Sequence, residues 1–189
     1  VQTCALPILN IDGIHWVLIG DVSGHGLPAG LVMMMAQTSV QTIVREHPDY
    51  SPAALLESVN RAILHNMHSF AEKKFMTITA LKFNKNSIEY AGFHEKILVY
   101  RHKQKIVECI ETRGIWLGVP FVSPYQDEVS KIKLESGDVV LLYTDGITEA
   151  FVDNTENQFG VDGLVSIIKE YGEESPNTIS SKIIEALSC

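Results

Sequence analysis

Ile14-His-Trp-Val-Leu-Ile-Gly-Asp-Val-Ser-Gly-His-Gly26 joins an apolar run to a turn punctuated by glycine. Ile14, Trp16 and Leu18 alternate with His15, Val17 and Ile19, so a strand here carries apolar residues on both faces and needs cover on both. A central strand over residues 14–20, ending at Asp21, follows. In front of it, Asn10-Ile-Asp-Gly13 places Asp-Gly between two apolar runs, the pair that a tight hairpin turn favours because both residues tolerate positive φ. Behind it, residues 29–46 are apolar nearly all round and then keep a stripe through Ala36, Val40, Ile43 and Val44, which predicts a buried helix capped near Pro28. The run Met33-Met-Met35 falls inside that periodicity and reads as core packing.

Ser51-Pro52 supplies an N-cap and a first-turn proline for a second helix, whose apolar face is Leu56, Val59, Ile63 and Met67. From Phe75 the period changes to two. Strands are predicted over residues 75–84, 87–92, 97–101, 106–112 and 129–134, and most are joined by short polar turns that favour antiparallel pairing. Residues 139–143 are again apolar on both faces and read as a second central strand, ending at Thr144-Asp-Gly146. Helices over 161–170 and from Ser175-Pro176 to about Leu187 close the chain. Helices flanking antiparallel sheets with doubly covered strands imply an α+β fold of stacked layers.

The 189 residues suffice for one domain with a real core, and 46% hydrophobic with 20% charged residues is ordinary globular composition. A formal charge of −8 argues against a non-specific nucleic-acid binder, which needs clustered Lys and Arg. Cys4, Cys109 and Cys189 are odd in number and form no CxxC pair, so neither a disulfide framework nor a zinc site is indicated, and a reducing cytoplasm is expected. Apolar stretches such as residues 31–36 and 139–143 are too short to cross a bilayer. Residues 1–8 (VQTCALPI) do not connect to the pattern behind them and read as a non-native segment, leaving residues 9–189 as the domain.

Asp21-Val-Ser-Gly-His-Gly26 combines a carboxylate, a hydroxyl and two glycines at a junction between strand and helix. An Asp at a strand end can hold a hard cation through oxygen, and glycines let backbone approach a ligand. The same residues equally serve as a helix cap and a turn. Asp145 ends the other doubly apolar strand, and two carboxylates brought together repel unless a cation lies between them; alone, its Asp-Gly pair is a turn signal. His94 reads as a turn or packing residue, and the acidic loop 151–159 as a solvated surface. Ser23 lacks a G-x-S-x-G elbow and a paired base, which disfavours an esterase. The glycine loop lacks the Gly-Lys-Ser/Thr ending of a P-loop, which places a nucleotide-binding protein last.

Five segments together carry a resemblance: Ile19-Gly-Asp-Val-Ser-Gly-His-Gly-Leu-Pro-Ala29, Phe75-Met-Thr-Ile-Thr-Ala80, Tyr90-Ala-Gly-Phe-His94, Leu134-Glu-Ser-Gly-Asp138 and Leu141-Leu-Tyr-Thr-Asp-Gly-Ile-Thr-Glu-Ala150. In order and spacing they resemble the motifs of PPM-type metal-dependent serine/threonine protein phosphatases, in the SpoIIE and RsbU branch. The resemblance implies an α-β-β-α four-layer sandwich with two Mn2+ or Mg2+ ions at one edge of the paired sheets. In that pattern Asp21 would bridge the ions, the backbone carbonyl of Val22 would add a ligand and Asp145 would bind one ion. Apart from that pattern, His25 sits in the motif loop, where it reads either as a proton donor to the leaving serine or as a solvated loop side chain. Two cations about 4 Å apart can activate a shared water and clamp phosphate oxygens without a covalent intermediate.

The resemblance further implies a phosphorylated protein substrate of the anti-anti-sigma type and a sensor domain in front of the catalytic one, in bacterial signalling. An earlier metal Asp and a late Asp-Asp-x-Thr strand of the pattern find no match here, so the fold is expected incomplete at both ends and this fragment weakly active. A phosphatase-fold module that binds a phosphoprotein without hydrolysing it is the alternative reading.

Overall fold

The computed structural model describes residues 7–11, 13–68, 74–120, 129–151 and 157–187. Residues 1–6, most of the segment read as non-native, and 152–156 of the acidic loop lie outside them. In chain order the elements are β1 (Ile8–Ile11), β2 (Ile14–Val22), α1 (Leu27–Glu46), α2 (Pro52–His68), β3 (Met76–Asn84), β4 (Ser87–Phe93), β5 (Ile97–Arg101), β6 (Ile106–Ile110), β7 (Ser130–Lys133), β8 (Val139–Leu141), α3 (Asp145–Thr148), α4 (Gly160–Tyr171) and α5 (Pro176–Leu187). They divide into two compact units, Val1–His94 with Thr112–Leu134 and Glu95–Glu111 with Glu135–Cys189.

The first unit is a five-stranded antiparallel sheet in the order β1-β2-β3-β4-β7, with α1 and α2 belonging to the same core. The predicted hairpin forms, with Ile11 opposite Ile14. Trp16 and Leu18 of β2 are fully buried among Val32, Ala36 and Val40 of α1 and Leu56, Val59 and Ile63 of α2. Each such aliphatic side chain contributes about 1.5–3 kcal/mol on burial. The Ser51 hydroxyl accepts the Ala54 N–H at 3.2 Å, the cap expected of Ser51-Pro52.

Within the methionine run, Met33 and Met35 pack on the core while Met34 is exposed. By length and composition α1 is apolar enough to span a bilayer, against the expectation from the shorter runs; its buried face, Ala29, Val32, Ala36, Val40 and Val44, is spent on the protein core instead.

A buried Lys82 would be costly unpaired. Its ammonium donates to the carbonyls of Pro48 (2.9 Å) and Tyr50 (2.8 Å) and lies 5.0 Å from the Trp16 ring, so the loop between α1 and α2 is tied to the sheet. Where β4 passes β3 its backbone comes so close that a β-carbon on Gly92 would collide with the Ile78 carbonyl, and φ there is +103°. Only glycine fits both demands.

The second unit is a three-stranded sheet, β6-β5-β8, whose core is Leu98 and Tyr100 of β5 with Tyr143, Leu164 and Ile168 of α4, and Ile179 and Ile183 of α5. Here the reading of residues 139–143 as a central strand is corrected. β8 has three half-buried residues and among the described strands pairs with β5 alone, which is itself the middle strand. Apolarity on both faces shows that a segment is covered, and Tyr143 is buried in a core shared with β5, α4 and α5.

Arg101 at the end of β5 donates to Asp138 (2.9 Å) and Glu108 (2.6 Å), and Asp138 also accepts the N–H groups of His102 and Glu135, both at 3.1 Å. This fastens the turn before β8 to the middle strand.

Candidate functional site

In the first unit, Asp21 and Val22 are the last two residues of β2, and the glycine-rich loop follows directly. Asp21 is half-buried, and one of its carboxylate oxygens, Oδ1, accepts the Val22 N–H at 2.9 Å. Val22 faces Met76 in the register, yet the N–H and C=O of Met76 both bond to Leu117, at 2.9 Å each. Val22 therefore occupies a non-hydrogen-bonded position of the ladder, and its carbonyl is turned away from β3.

The loop is anchored rather than loose. Ser23 N–H donates to the Phe75 carbonyl at 2.9 Å, and the Phe75 N–H donates to the Ser23 hydroxyl at 3.0 Å. That pair of hydrogen bonds explains why a serine follows Asp21-Val22: it continues the ladder with its side chain where the strand leaves the sheet. Beyond it, Gly24 (φ +83°) and Gly26 (φ +79°) flank His25, whose side chain is exposed to solvent.

Behind Asp21 runs a polar relay that the linear sequence conceals. The Thr77 hydroxyl donates to the Asp21 carbonyl at 3.4 Å and shares a hydrogen bond of 2.9 Å with Nδ1 of His94. The His94 backbone N–H and carbonyl are both satisfied by the Thr112 hydroxyl, at 3.0 and 2.5 Å. His94 is thus a packing residue, as read, and it also supports the strand end that presents Asp21. Thr77 and Thr112 went unnoticed because a threonine in a strand is ordinary β composition. The only available signal was that Thr77 and His94 lie in separate quoted motifs.

In the second unit, Asp145 begins the one-turn helix α3 rather than ending a strand, with its carbonyl accepting the Glu149 N–H at 2.7 Å and the Thr148 hydroxyl at 3.3 Å. Glu95 and Glu149 were not singled out by sequence, yet they face the same surroundings. Burial pushes the Glu95 carboxyl above its ordinary range, the charges of Asp145 and Glu149 push it further, and Lys96 only partly offsets them.

The structure therefore brings Asp21 and Val22 together at one strand end, with His25 in the loop beyond, and puts Asp145 in the other unit. Among the described residues no three His, Cys, Asp or Glu side chains converge as a metal cluster. The donors present are carboxylate and carbonyl oxygens, which suit a hard divalent cation such as Mn2+ or Mg2+ and not a soft one. The outward carbonyl of Val22 beside Asp21 fits that role.

Comparison with known proteins supplies the context. The family model described as Stage II sporulation protein E (SpoIIE) matches residues 12–188. The chain is 28% identical over 175 residues to the phosphoserine phosphatase RsbU of Bacillus subtilis (strain 168), covering 90% of this chain and 49% of that protein. It thus spans about half the length of that curated relative. Among solved structures it is similar to the SiaA-PP2C domain of Pseudomonas aeruginosa, with a TM-score of 0.80 at 15% identity over 99% of this chain and 72% of that one. The RsbU and RsbW domains of a Mycobacterium tuberculosis protein give 0.76 at 22% identity, over 99% and 51%. The PP2C phosphatase domain of SpoIIE from Bacillus subtilis, solved with a fragment of its regulatory domain, gives 0.69 at 15%, over 97% and 52%. The expected α+β PPM-type fold is the fold observed.

Proposed function

The chain belongs to the SpoIIE family, and from that premise we propose that it is the catalytic portion of a cytoplasmic phosphoprotein phosphatase that removes phosphate from serine or threonine of a bacterial signalling partner. The observation that carries the reading is the end of β2, where the Asp21 carboxylate and the out-turned Val22 carbonyl stand beside an anchored glycine loop. Asp21, Val22 and, from the second unit, Asp145 would hold two divalent ions, Mn2+ or Mg2+. Bound ions of this kind supply Lewis acidity, which makes water a nucleophile near neutral pH and offsets charge on phosphate.

The chain's own residues set up that chemistry. The Val22 N–H on Oδ1 fixes the Asp21 carboxylate, and the Thr77–His94 relay holds the strand end from behind. The two hydrogen bonds between Ser23 and Phe75 keep the loop in place for a substrate. His25, exposed in that loop, would give a proton to the leaving serine oxygen. By the family resemblance, the partner would be a phosphoprotein of the anti-anti-sigma type, with a sensor domain elsewhere in the whole protein.

The test is phosphate release by the full-length protein from a phosphoserine protein or peptide with added Mn2+. Turnover that EDTA abolishes and Mn2+ restores is expected. Specific phosphopeptide binding with no release under any divalent ion would overturn hydrolysis in favour of a non-catalytic binding module. His25→Ala should slow a phosphoserine peptide but spare p-nitrophenyl phosphate, whose leaving group needs no proton; equal slowing of both would remove His25 from that role.

A further inference from the structure

Three aromatic side chains of the first unit lie side by side in water. Phe75 and Trp116 stack with ring centroids 5.0 Å apart and planes 19° from parallel, and the Phe93 ring lies 5.8 Å from that of Trp116, tilted by 48°. Their exposures are 36%, 41% and 40%. Single exposed apolar residues are commonplace, whereas a contiguous aromatic patch marks a surface that another molecule covers.

The patch is rigidly joined to the candidate site. Phe75 is the residue bonded twice to Ser23 of the Asp21 loop, and Trp116 adjoins Leu117, which is bonded twice to Met76. Phe93 is the last residue of β4 and immediately precedes His94 of the relay behind Asp21. Lys74, next to Phe75, brings a cation to the same loop. Its Nζ stands so near Gly24 that a β-carbon there would lie 2.6 Å away, in a backbone conformation (φ +83°) that glycine alone takes without strain. One short stretch of surface thus offers a cation against the glycine loop and, beside it, an aromatic shelf.

We infer that Phe75, Phe93 and Trp116 receive the apolar side chains that flank the phosphorylated residue of the substrate protein, with Lys74 drawing the phosphate toward the Gly24 loop. The inference rests on the phosphatase reading for the identity of its occupant. Charge complementarity selects a phosphorylated segment, because in a chain of net charge −8 an anionic partner needs a local cation to approach. The aromatic shelf then selects its neighbours, because flat rings bind apolar and aromatic side chains at small entropic cost.

The test uses the full-length protein and two fluorescent peptides that carry a non-hydrolysable phosphonate analogue of phosphoserine. One has leucine and phenylalanine next to the analogue, and the other has glycine. Fluorescence anisotropy should give about tenfold tighter binding of the apolar peptide. Trp116→Ala should bring the ratio of the two dissociation constants close to one, and Trp116→Phe should restore most of it. Lys74→Met should weaken both peptides together and leave their ratio intact.

A ratio near one in the wild type, or one unchanged by Trp116→Ala, overturns the inference. Phosphate release from p-nitrophenyl phosphate, measured in parallel on the wild type, tests the phosphatase reading separately. Its absence beside an intact peptide ratio would discard hydrolysis and keep the docking surface.

Discussion

Asp21 stands at the end of a nine-residue strand paired with β3 from His15 to Val22, whereas Asp145 follows a three-residue strand and begins a helix of four residues. Around Asp21 the polar groups are matched: the Val22 N–H lies on its carboxylate, and Thr77, His94 and Thr112 are joined behind it. Near Asp145 the carboxylates of Glu95 and Glu149 add like charge. The first strand end is built as a rigid mount. The second is a short turn. A long ladder fixes backbone position by many cooperative bonds, while a single helical turn has few of its own.

The strongest way to break this comparison is to neutralise each carboxylate in the full-length protein. Asp21→Asn and Asp145→Asn should each lower Mn2+-dependent phosphate release at least about 100-fold and reduce the Mn2+-induced rise in melting temperature. If Asp145→Asn keeps both properties while Asp21→Asn loses them, the second region is no ligand.

Rigidity of the first mount is tested by Gly92→Ala. A β-carbon there collides with the Ile78 carbonyl at a positive φ, and urea denaturation should report a loss of about 3 kcal/mol. A change within about 0.5 kcal/mol would mean that β3 and β4 separate easily at this point.

The second unit has its own fixed point in Asp138, whose side chain is only 3% exposed. Burial pushes its carboxyl up, but the Arg101 guanidinium and the N–H groups of Glu135 and His102 outweigh burial and hold it below the ordinary carboxylate range. A depressed folded-state pKa stabilises above the unfolded value and loses that contribution as pH falls through the folded one. Asp138→Asn should therefore cost about 2 kcal/mol at neutral pH, with the difference from wild type shrinking below about pH 4. A difference independent of pH in denaturation curves would assign the loss to packing.

Ser23→Ala carries the smallest effect. It removes the acceptor of the Phe75 N–H and should lower stability by about 1 kcal/mol. Hydrogen exchange at the Phe75 amide should accelerate, and an unchanged rate would show that water replaces the hydroxyl.

Much of this was legible along the chain. The alternation from Ile14 to Ile19, the stripe of Ala36, Val40 and Val44, and the caps Ser51-Pro52 and Ser175-Pro176 each predicted the element found. Asp21 was legible too, because a carboxylate among glycines after an apolar strand is a pattern of neighbours in sequence. The reading of residues 139–143 went astray because apolarity measures cover and carries no information on how many strands adjoin. Lys74, Thr77, Glu95 and Thr112 were silent, since each is an ordinary residue for its place in the chain and gains its meaning from what lies across a gap in the chain.

The sequence by itself determined the local elements, their α+β class, the two acidic motifs and the family, since periodicity, capping and motif order depend on near neighbours. Only the tertiary structure decided that β7 returns to β4 in the first sheet while β5, β6 and β8 form another, and that Thr77 and His94 meet behind Asp21. It also gathered Phe75, Phe93 and Trp116 into one surface. Strand pairing and side-chain contact join residues far apart in the chain, and which distant partners meet is settled by the whole set of competing burials and ladders rather than by any one segment.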